Sequence, residues 1–428
     1  MTKLYKKDII KIIDDYKLDK NEILIISGAA MVLYGYKKYT TDIDIAVSKK
    51  YYNYLLKKYS CVFERINEYG EKIYFIDNII NFGNTYYSSP YEIIDGLRVQ
   101  TRNDLITLKE NLNRKKDIEE INKIKYNNIG GDNMGKPKVY FSKEITPEKL
   151  IEIYEKLGVN LTGKVGVKVS TGEDGAKGYL KADLIAPLVK KLNGTIIECN
   201  TSYPGARTTY EEHIKVAEKH GFTSFADVDI MDKDGDFEIP FEKGKYLKYD
   251  KVGINFKNYD SILNLAHGKG HMMGGFGANL KNQSIGIASR HGKAYIHSCG
   301  QTEDPDACWQ SKHEQVDFIK SMAEAATAVA DYLKENNKPI AYITVMNALS
   351  VDCDCDANQS DPVMEDLGIV ASLDPVANDQ AFIDMIWASK DPGAEKLKER
   401  IDTREGREIL PYAESLGLGS REYELIEI

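Results

Sequence analysis

The sequence predicts an α/β protein: a small α+β domain followed by a larger α/β domain whose sheet is mainly parallel. Three observations carry this prediction. At 428 residues the chain exceeds what one ordinary core accommodates. Composition breaks near residue 127: the first 127 residues carry a net charge of +4 and 15 of the 28 tyrosines, and the remainder carries −13. After the break, short apolar strands alternate with amphipathic helices, the pattern of a parallel sheet covered on both faces.

The first domain, 1–127, opens with a helix carrying Ile9, Ile10, Ile12 and Ile13. A strand over 23–26 runs through the Ser27-Gly28 turn into an apolar helix, 29–33, stopped at Gly35. A short basic loop leads to a second strand, 43–47, then a helix over 49–59 and further strands between 61 and 82. Charge-laced sequence, LITLKENLNRKKDIEEINKIK, closes the domain as helix. The segment 128–137, rich in Asn and Gly without apolar periodicity, reads as a linker.

The second domain, 138–428, is expected to place strands at 164–170, 194–199, 224–230, 262–267, 340–346 and 368–373. Helices are expected at 180–192, 208–219, 313–335 and 375–388, the last with Asp374 as N-cap and Pro375 in its first turn. No stretch approaches the ~20 apolar residues of a membrane span, and the N-terminus lacks a signal peptide's apolar core. Six cysteines in a chain of this length make no disulfide framework, so a cytoplasmic setting without membrane partners is expected, with thiols available to metals.

The sharpest chemical signal is SGAAMVLYGYKKYTTDIDIAV, residues 27–47. Asp42 and Asp44 alternate on a strand, so both carboxylates leave one face. Paired carboxylates so placed suit Mg²⁺, which also binds nucleotide phosphates. The turn at Ser27 and Gly28 exposes backbone N–H groups that would cradle a triphosphate. A D-x-D at a strand end is common by itself; the glycine turn, helix and basic loop before it set this one apart.

These residues resemble the nucleotidyltransferase superfamily, particularly its small AbiEii-like, toxin-related group. The family pattern is a Gly-Gly or Gly-Ser turn, a helix ending in Gly, then Arg-x-Thr-x-Asp-x-Asp. Here it reads Ser27-Gly28, Gly35, Lys38-x-Thr40-x-Asp42-x-Asp44. The resemblance implies Mg²⁺ on Asp42 and Asp44, and an NTP held by Ser27, Gly28, Lys38 and Thr40. It also implies transfer of a nucleoside monophosphate to an acceptor left open between RNA, a protein hydroxyl and a small molecule. A third carboxylate is expected on a later strand, with Asp77 as the candidate and Asn81 as its neutral rival. The rival reading is a nucleotide sensor without catalysis.

In the second domain two clusters stand out. NLAHGKGHMMGGFGANLKNQSIG holds His267 and His271 among glycines, and VDCDCDANQSDP holds Cys353 and Cys355 just after a strand. Thiolate with imidazole selects zinc, iron or an iron–sulfur cluster. Cys199, ending its own strand, could join them. Histidines 213, 220, 291 and 313 read as surface residues, Cys299 and Cys308 as ordinary thiols, and His297 as a weaker ligand. With KVGVKVSTGE, ECNTSYPGARTTYEEH and GIVASLDPVANDQAFIDMI, this half resembles a widespread domain of unknown function often labelled iron–sulfur or ferredoxin-like. The cysteine-rich ferredoxin insertion of many members is missing, so electron transfer does not follow from the label. The alternative for the whole chain is a nucleotide sensor joined to a metal-binding or redox module. Oligomeric state is left open.

Overall fold

A computed structural model describes residues 3–67, 70–112 and 136–428. The chain divides into two compact units, 1–131 and 132–428. The expected closing helix is described as far as Leu112; its remainder, and most of the expected linker, lie outside the described residues.

Unit one is a seven-stranded mixed sheet with helices. Its strands are β1 (Ile23–Ile25), β2 (Ile43–Val47), β3 (Cys61–Ile66), β4 (Lys72–Ile76), β5 (Ile80–Gly83), β6 (Tyr91–Ile94) and β7 (Leu97–Gln100), in the order β3-β4-β5-β2-β1-β7-β6. Helices α1 (Lys6–Asp15), α2 (Ser27–Leu33), α3 (Lys49–Lys58) and α4 (Arg102–Leu112) accompany it. Helix α1 buries Ile9 and Ile13, four apart on one face. Strands β1 and β2 pair antiparallel, and β2 runs parallel to β5 with Asp44 opposite Asn81. A bulge between Phe63 and Arg65 interrupts the β3–β4 pairing at Glu64. Bulges re-aim side chains.

Unit two is built on an eight-stranded, mainly parallel sheet. Strands β8 (Lys138–Ser142), β9 (Val165–Lys168), β10 (Thr195–Glu198) and β11 (Val228–Ile230) come first. A hairpin, β12 (Asp236–Pro240) with β13 (Tyr249–Gly253), follows, then the central β14 (Ser261–His267). A small ribbon, β15 (Lys269–His271) with β16 (Gly275–Gly277), precedes β17 (Ile340–Met346), β18 (Gly368–Ser372) and β19 (Glu424–Glu427). The order is β11-β10-β9-β14-β17-β18-β8-β19. Strands β14 and β17 are buried at every residue, as an apolar run between two helical layers requires.

One layer contains α5 (Pro147–Lys156), α6 (Ala182–Lys191) and α7 (Tyr210–Lys219). The other core gathers α8 (Asn279–Ser284), α9 (Arg290–His297), α10 (Gln315–Glu335), α11 (Pro375–Ala388), α12 (Ala394–Thr403) and α13 (Ile409–Ser415). Asp374 caps α11 by accepting from Val376 N and Ala377 N, both at 2.9 Å, with Pro375 in the first turn. The strand expected over 224–230 is shorter: residues 222–224 form a 3₁₀ turn and only 228–230 pair. Among the described residues no helix is long and apolar enough to cross a membrane.

Candidate functional site

In unit one, β1 delivers the chain to Ser27, whose φ of 56° lies in the left-handed region that favours glycine. That conformation explains why a glycine suits this position, and the strain sits beside the acidic pair. A Cβ on Gly28 would lie 3.2 Å from Thr40 Oγ1, so the turn packs closely on the loop before β2. Asp42 accepts from Thr40 Oγ1 at 3.5 Å and from Thr41 Oγ1 at 3.4 Å. Burial, then the neighbouring Asp42 charge, pushes Asp44 up to about 7; Arg65 and a hydrogen bond from Ser27 pull the other way. Lys38 is exposed.

Asp77 is not beside this pair in the sheet. It sits in the β4–β5 turn with φ 51°, followed by Asn78 at φ 54°, and its carboxylate accepts from Tyr16 OH at 2.6 Å. An Asp-Asn turn of this kind closes hairpins, and the register puts Asn81, not Asp77, opposite Asp44. The carboxylate near the pair is Glu64, which accepts from Asn81 Nδ2 at 3.0 Å and is salt-bridged to Arg65. A one-residue bulge aims it, and bulges leave no periodic trace in a sequence.

In unit two, Asp354 anchors the Cys-x-Cys loop. Its carboxylate lies 2.9 Å from His267 Nδ1 and 3.0 Å from Lys269 Nζ, with all three side chains buried. Against the cost of burial, His267 and Lys269 hold Asp354 well below the usual carboxylate range. His267 Nε2 faces Asn347 O at 2.6 Å, so both ring nitrogens are already engaged. Cys199 Sγ donates to Ile287 O at 3.3 Å, and burial pushes its thiol up. Neither residue belongs to the ligand group around the two loop sulfurs.

His271 does. Among the described residues, His271, Cys353 and Cys355 form the group of three whose ligand atoms lie within 4.8 Å of one another, a group able to hold a metal ion. The acidic pair of unit one does not reach that closeness with a third ligand. Here Cys353 and Cys355 form a disulfide. His271 Nδ1 accepts from Gly274 N at 2.8 Å and Met273 N at 3.2 Å, which assigns the ring proton to Nε2. Nε2 faces Cys355 Sγ at 3.7 Å. Burial, then Lys281 and His297, hold His271 well below its ordinary value, so the ring is neutral.

The triad opens on a cavity of about 810 Å³, within the usual range for small-molecule sites. Its walls carry Lys269 and Lys281, which the sequence offers as donors able to hold an anion, and three cations that sequence reading passed over: Lys168, Arg207 and Lys293. Burial and then Lys269 push the Lys281 ammonium down to about 7, and burial pushes Lys168 down to about 8. Glu198 lies 3.5 Å from Lys168, 3.2 Å from Arg207 and 2.9 Å from His213. Lys168 ends an otherwise apolar buried strand and Glu198 follows two buried isoleucines, and a charge in such a run was the available signal. His213, expected at the surface, is fully buried and shares a helix face with Val216 and Ala217. His220 is half-buried, stacked on Tyr179. His297 is buried in the cavity wall against Phe318.

Residues 165–384 match a family model described as Domain of unknown function (DUF362). No nucleotidyltransferase family matches, and no curated protein matches the chain. Among the solved structures that match, two are named by organism. One is a protein from Thermotoga maritima, 14% identical, with a TM-score of 0.32 over 60% of this chain and 58% of that one. The other is lactate racemase apoprotein from Thermoanaerobacterium thermosaccharolyticum, 13% identical, with a TM-score of 0.32 over 58% of this chain and 56% of that one. The matched part spans less than two thirds of either neighbour.

Proposed function

The chain belongs to the DUF362 family, and from that premise we propose that its second unit is a thiol–disulfide redox module working at the mouth of the cavity. The observation that carries this is the Cys353–Cys355 disulfide facing His271 Nε2. Cys355 is the more exposed sulfur, so a dithiol reductant attacks there and forms a mixed disulfide. The departing Cys353 thiolate accepts the Cys355 N–H, 3.0 Å away. The reductant's second thiolate then attacks its own sulfur in the mixed disulfide and releases Cys355 as a thiolate, to which His271 Nε2–H donates. Two electrons and two protons pass from the reductant, which leaves as a disulfide.

A transition metal is the second reading, favoured by the closeness of the three ligand atoms. The two thiolates suit zinc or iron. The His271 proton does not suit it: Nε2 would have to release that proton while Nδ1 gives up the Gly274 N–H. Three ligands suit a single ion better than a cluster. The disulfide and the metal exclude one another.

Thiol counting decides between them. Air-equilibrated protein should show Cys61, Cys199, Cys299 and Cys308 as free thiols after denaturation, with Cys353 and Cys355 appearing only after reduction. Stoichiometric zinc on protein purified under reducing conditions, lost in Cys355→Ser, would establish the metal reading. All cysteines free in metal-free protein exposed to air would overturn the redox reading.

For unit one we propose nucleotide binding of the nucleotidyltransferase type, supported by Asp42 and Asp44 beside the strained Ser27 turn. Asp42 and Asp44 would hold Mg²⁺, with Glu64 near enough to contribute, and the Ser27-Gly28 turn, Lys38 and Thr40 would receive the phosphates. Labelled NTP tests this: transfer lost in Asp42→Ala and Asp44→Ala supports catalysis, and binding without transfer supports the sensor. Absence of binding removes both.

A further inference from the structure

The cavity beside the cysteine loop is built for more than a sulfur exchange. Five cations, Lys168, Arg207, Lys269, Lys281 and Lys293, line it with five carboxylates, of which Asp174 and Asp352 are drawn to Lys219 and Arg400 outside the lining. Arg207 is matched by Glu198 at 3.2 Å and Glu173 at 3.4 Å. Lys168 has only a longer approach to that same Glu198, at 3.5 Å. Its ammonium is spent largely on Val169 O at 2.8 Å and Asn282 Oδ1 at 2.9 Å. Lys293 donates to Ala288 O at 2.6 Å and to Cys199 O at 3.4 Å, leaving one of its three protons uncommitted. Lys281 Nζ has no hydrogen-bond partner among the described residues. Two polar atoms in the wall are buried and unpartnered: Ser202 Oγ and His297 Nδ1. Their residues are 2% and 7% exposed.

Unpartnered buried polar atoms cost stability unless something meets them. Lysines gathered in a poorly solvated space repel one another. Both costs vanish with one kind of guest. We propose that the cavity binds a small organic dianion, a phosphate monoester or a dicarboxylate, whose charged end is held by Lys281, Lys293 and Lys168. Ser202 and His297 complete the ring of partners. A dianion suits the surplus because Glu198 is shared between Arg207 and Lys168 and leaves Lys281 and Lys293 unmatched. The volume of about 810 Å³ admits an organic body as well as the charged group. Trp309 and Met273 in the same wall give that body an apolar surface. Burial, then the neighbouring Lys269 charge, lowers the basicity of Lys281, with Asp354 pulling the other way.

Room for the lysines is itself built in. A Cβ on Gly286 would stand 2.6 Å from Lys168 Cε and 2.7 Å from its Nζ. Glycine at this point lets the ammonium lie against the backbone and face the cavity.

Trp309 provides the readout, since the chain's other tryptophan, Trp387, lies in α11 under Arg407 and can be silenced. The full-length Trp387→Phe protein, reduced and treated with chelator, is titrated with phenyl phosphate, phthalate and inorganic phosphate by fluorescence and calorimetry. These conditions remove the disulfide and any metal, so failure of the redox or metal reading leaves the outcome untouched. A saturable response is expected, tighter for phenyl phosphate or phthalate than for inorganic phosphate. Preference between the two organic probes identifies the charged group. Lys281→Met and Lys293→Met should each weaken binding at least tenfold, and Lys215→Met, at an exposed position, should not. Near-UV circular dichroism confirms that the variants are folded. No saturable response to any probe at millimolar concentration overturns the proposal. So does equal binding by folded Lys281→Met and Lys293→Met.

Discussion

Replacing Asp354 by alanine tests how the cysteine loop is held. The carboxylate is fully buried between His267 Nδ1 at 2.9 Å and Lys269 Nζ at 3.0 Å. A unit charge pair at that separation attracts by roughly 5 kcal/mol at an effective dielectric constant of about 20. Part of this offsets desolvation, so the useful quantity is the cost of breaking the pair. Removing one partner of a buried pair costs about 3–5 kcal/mol, because the other charge stays buried and unmatched. At about 2–4 °C per kcal/mol, the melting transition of unit two should fall by roughly 6–20 °C. Differential scanning calorimetry measures this, with near-UV circular dichroism assigning the transition. Asp354→Asn with Lys269→Met removes both charges and should recover at least half of the loss. A loss below about 1 kcal/mol in Asp354→Ala, or no recovery in the double variant, would refute the reasoning.

Three other outcomes follow from the same geometry. Asp250 is fully buried with both carboxyl oxygens unpartnered, and burial pushes it from its ordinary 3.8 up to about 8. The folded protein therefore keeps a proton that the unfolded chain has lost, and this residue's contribution should decline as pH rises from about 4 to about 8, by about 1.4 kcal/mol per unit at most. Urea melts across that window should show Asp250→Asn with the shallower slope; parallel slopes would contradict it. Asn81→Asp places a carboxylate opposite Asp44, and Mn²⁺ affinity of the full chain, followed by paramagnetic resonance, should rise at least tenfold; unchanged affinity would argue that the pair does not hold the ion. Gly286→Ala brings a Cβ within 2.2 Å of Asn282 O as well as against Lys168, so it should cost about 1–3 kcal/mol in denaturant unfolding and weaken phenyl phosphate; wild-type behaviour in both would show that the space is not tight.

The elements that obey a simple period were legible. The expected strand at 340–346 and helix at 375–388 have those bounds, and Asp374 caps the helix as its position before Pro375 suggested. The clustering of His271 with both loop cysteines was also readable, because glycine-rich backbone and thiols fall at the ends of neighbouring strands. What escaped was side-chain direction. His267 and His271 are four residues apart, yet one is engaged by Asp354 and the other faces sulfur. Nothing in the spacing says which is which. Asp77 attracted the third-carboxylate role because it lies on the right stretch of chain, whereas a bulge in β3 brings Glu64 near. Lys269 and Lys281 stood out beside the glycine-rich loop, but Lys168 and Lys293 were overlooked because lysine is mostly a surface residue; their meaning depends on a cavity assembled from distant segments.

Strand β8, which begins unit two, lies between β18 and β19, the last strand, with Lys138 opposite Glu424 and Ile428 N donating to Phe141 O at 2.9 Å. Beginning and end are thus stitched into one border of the fold. A fragment trimmed to 165–384 would leave β18 with a bare amide edge and strip Leu397, Ile401, Ile409 and Leu410 from the main core. Such a fragment is a recipe for aggregation. Conversely, a peptide long enough to run back along the four-residue β19 could join 428 to 136. New termini could then be opened elsewhere on the surface without unpicking that seam.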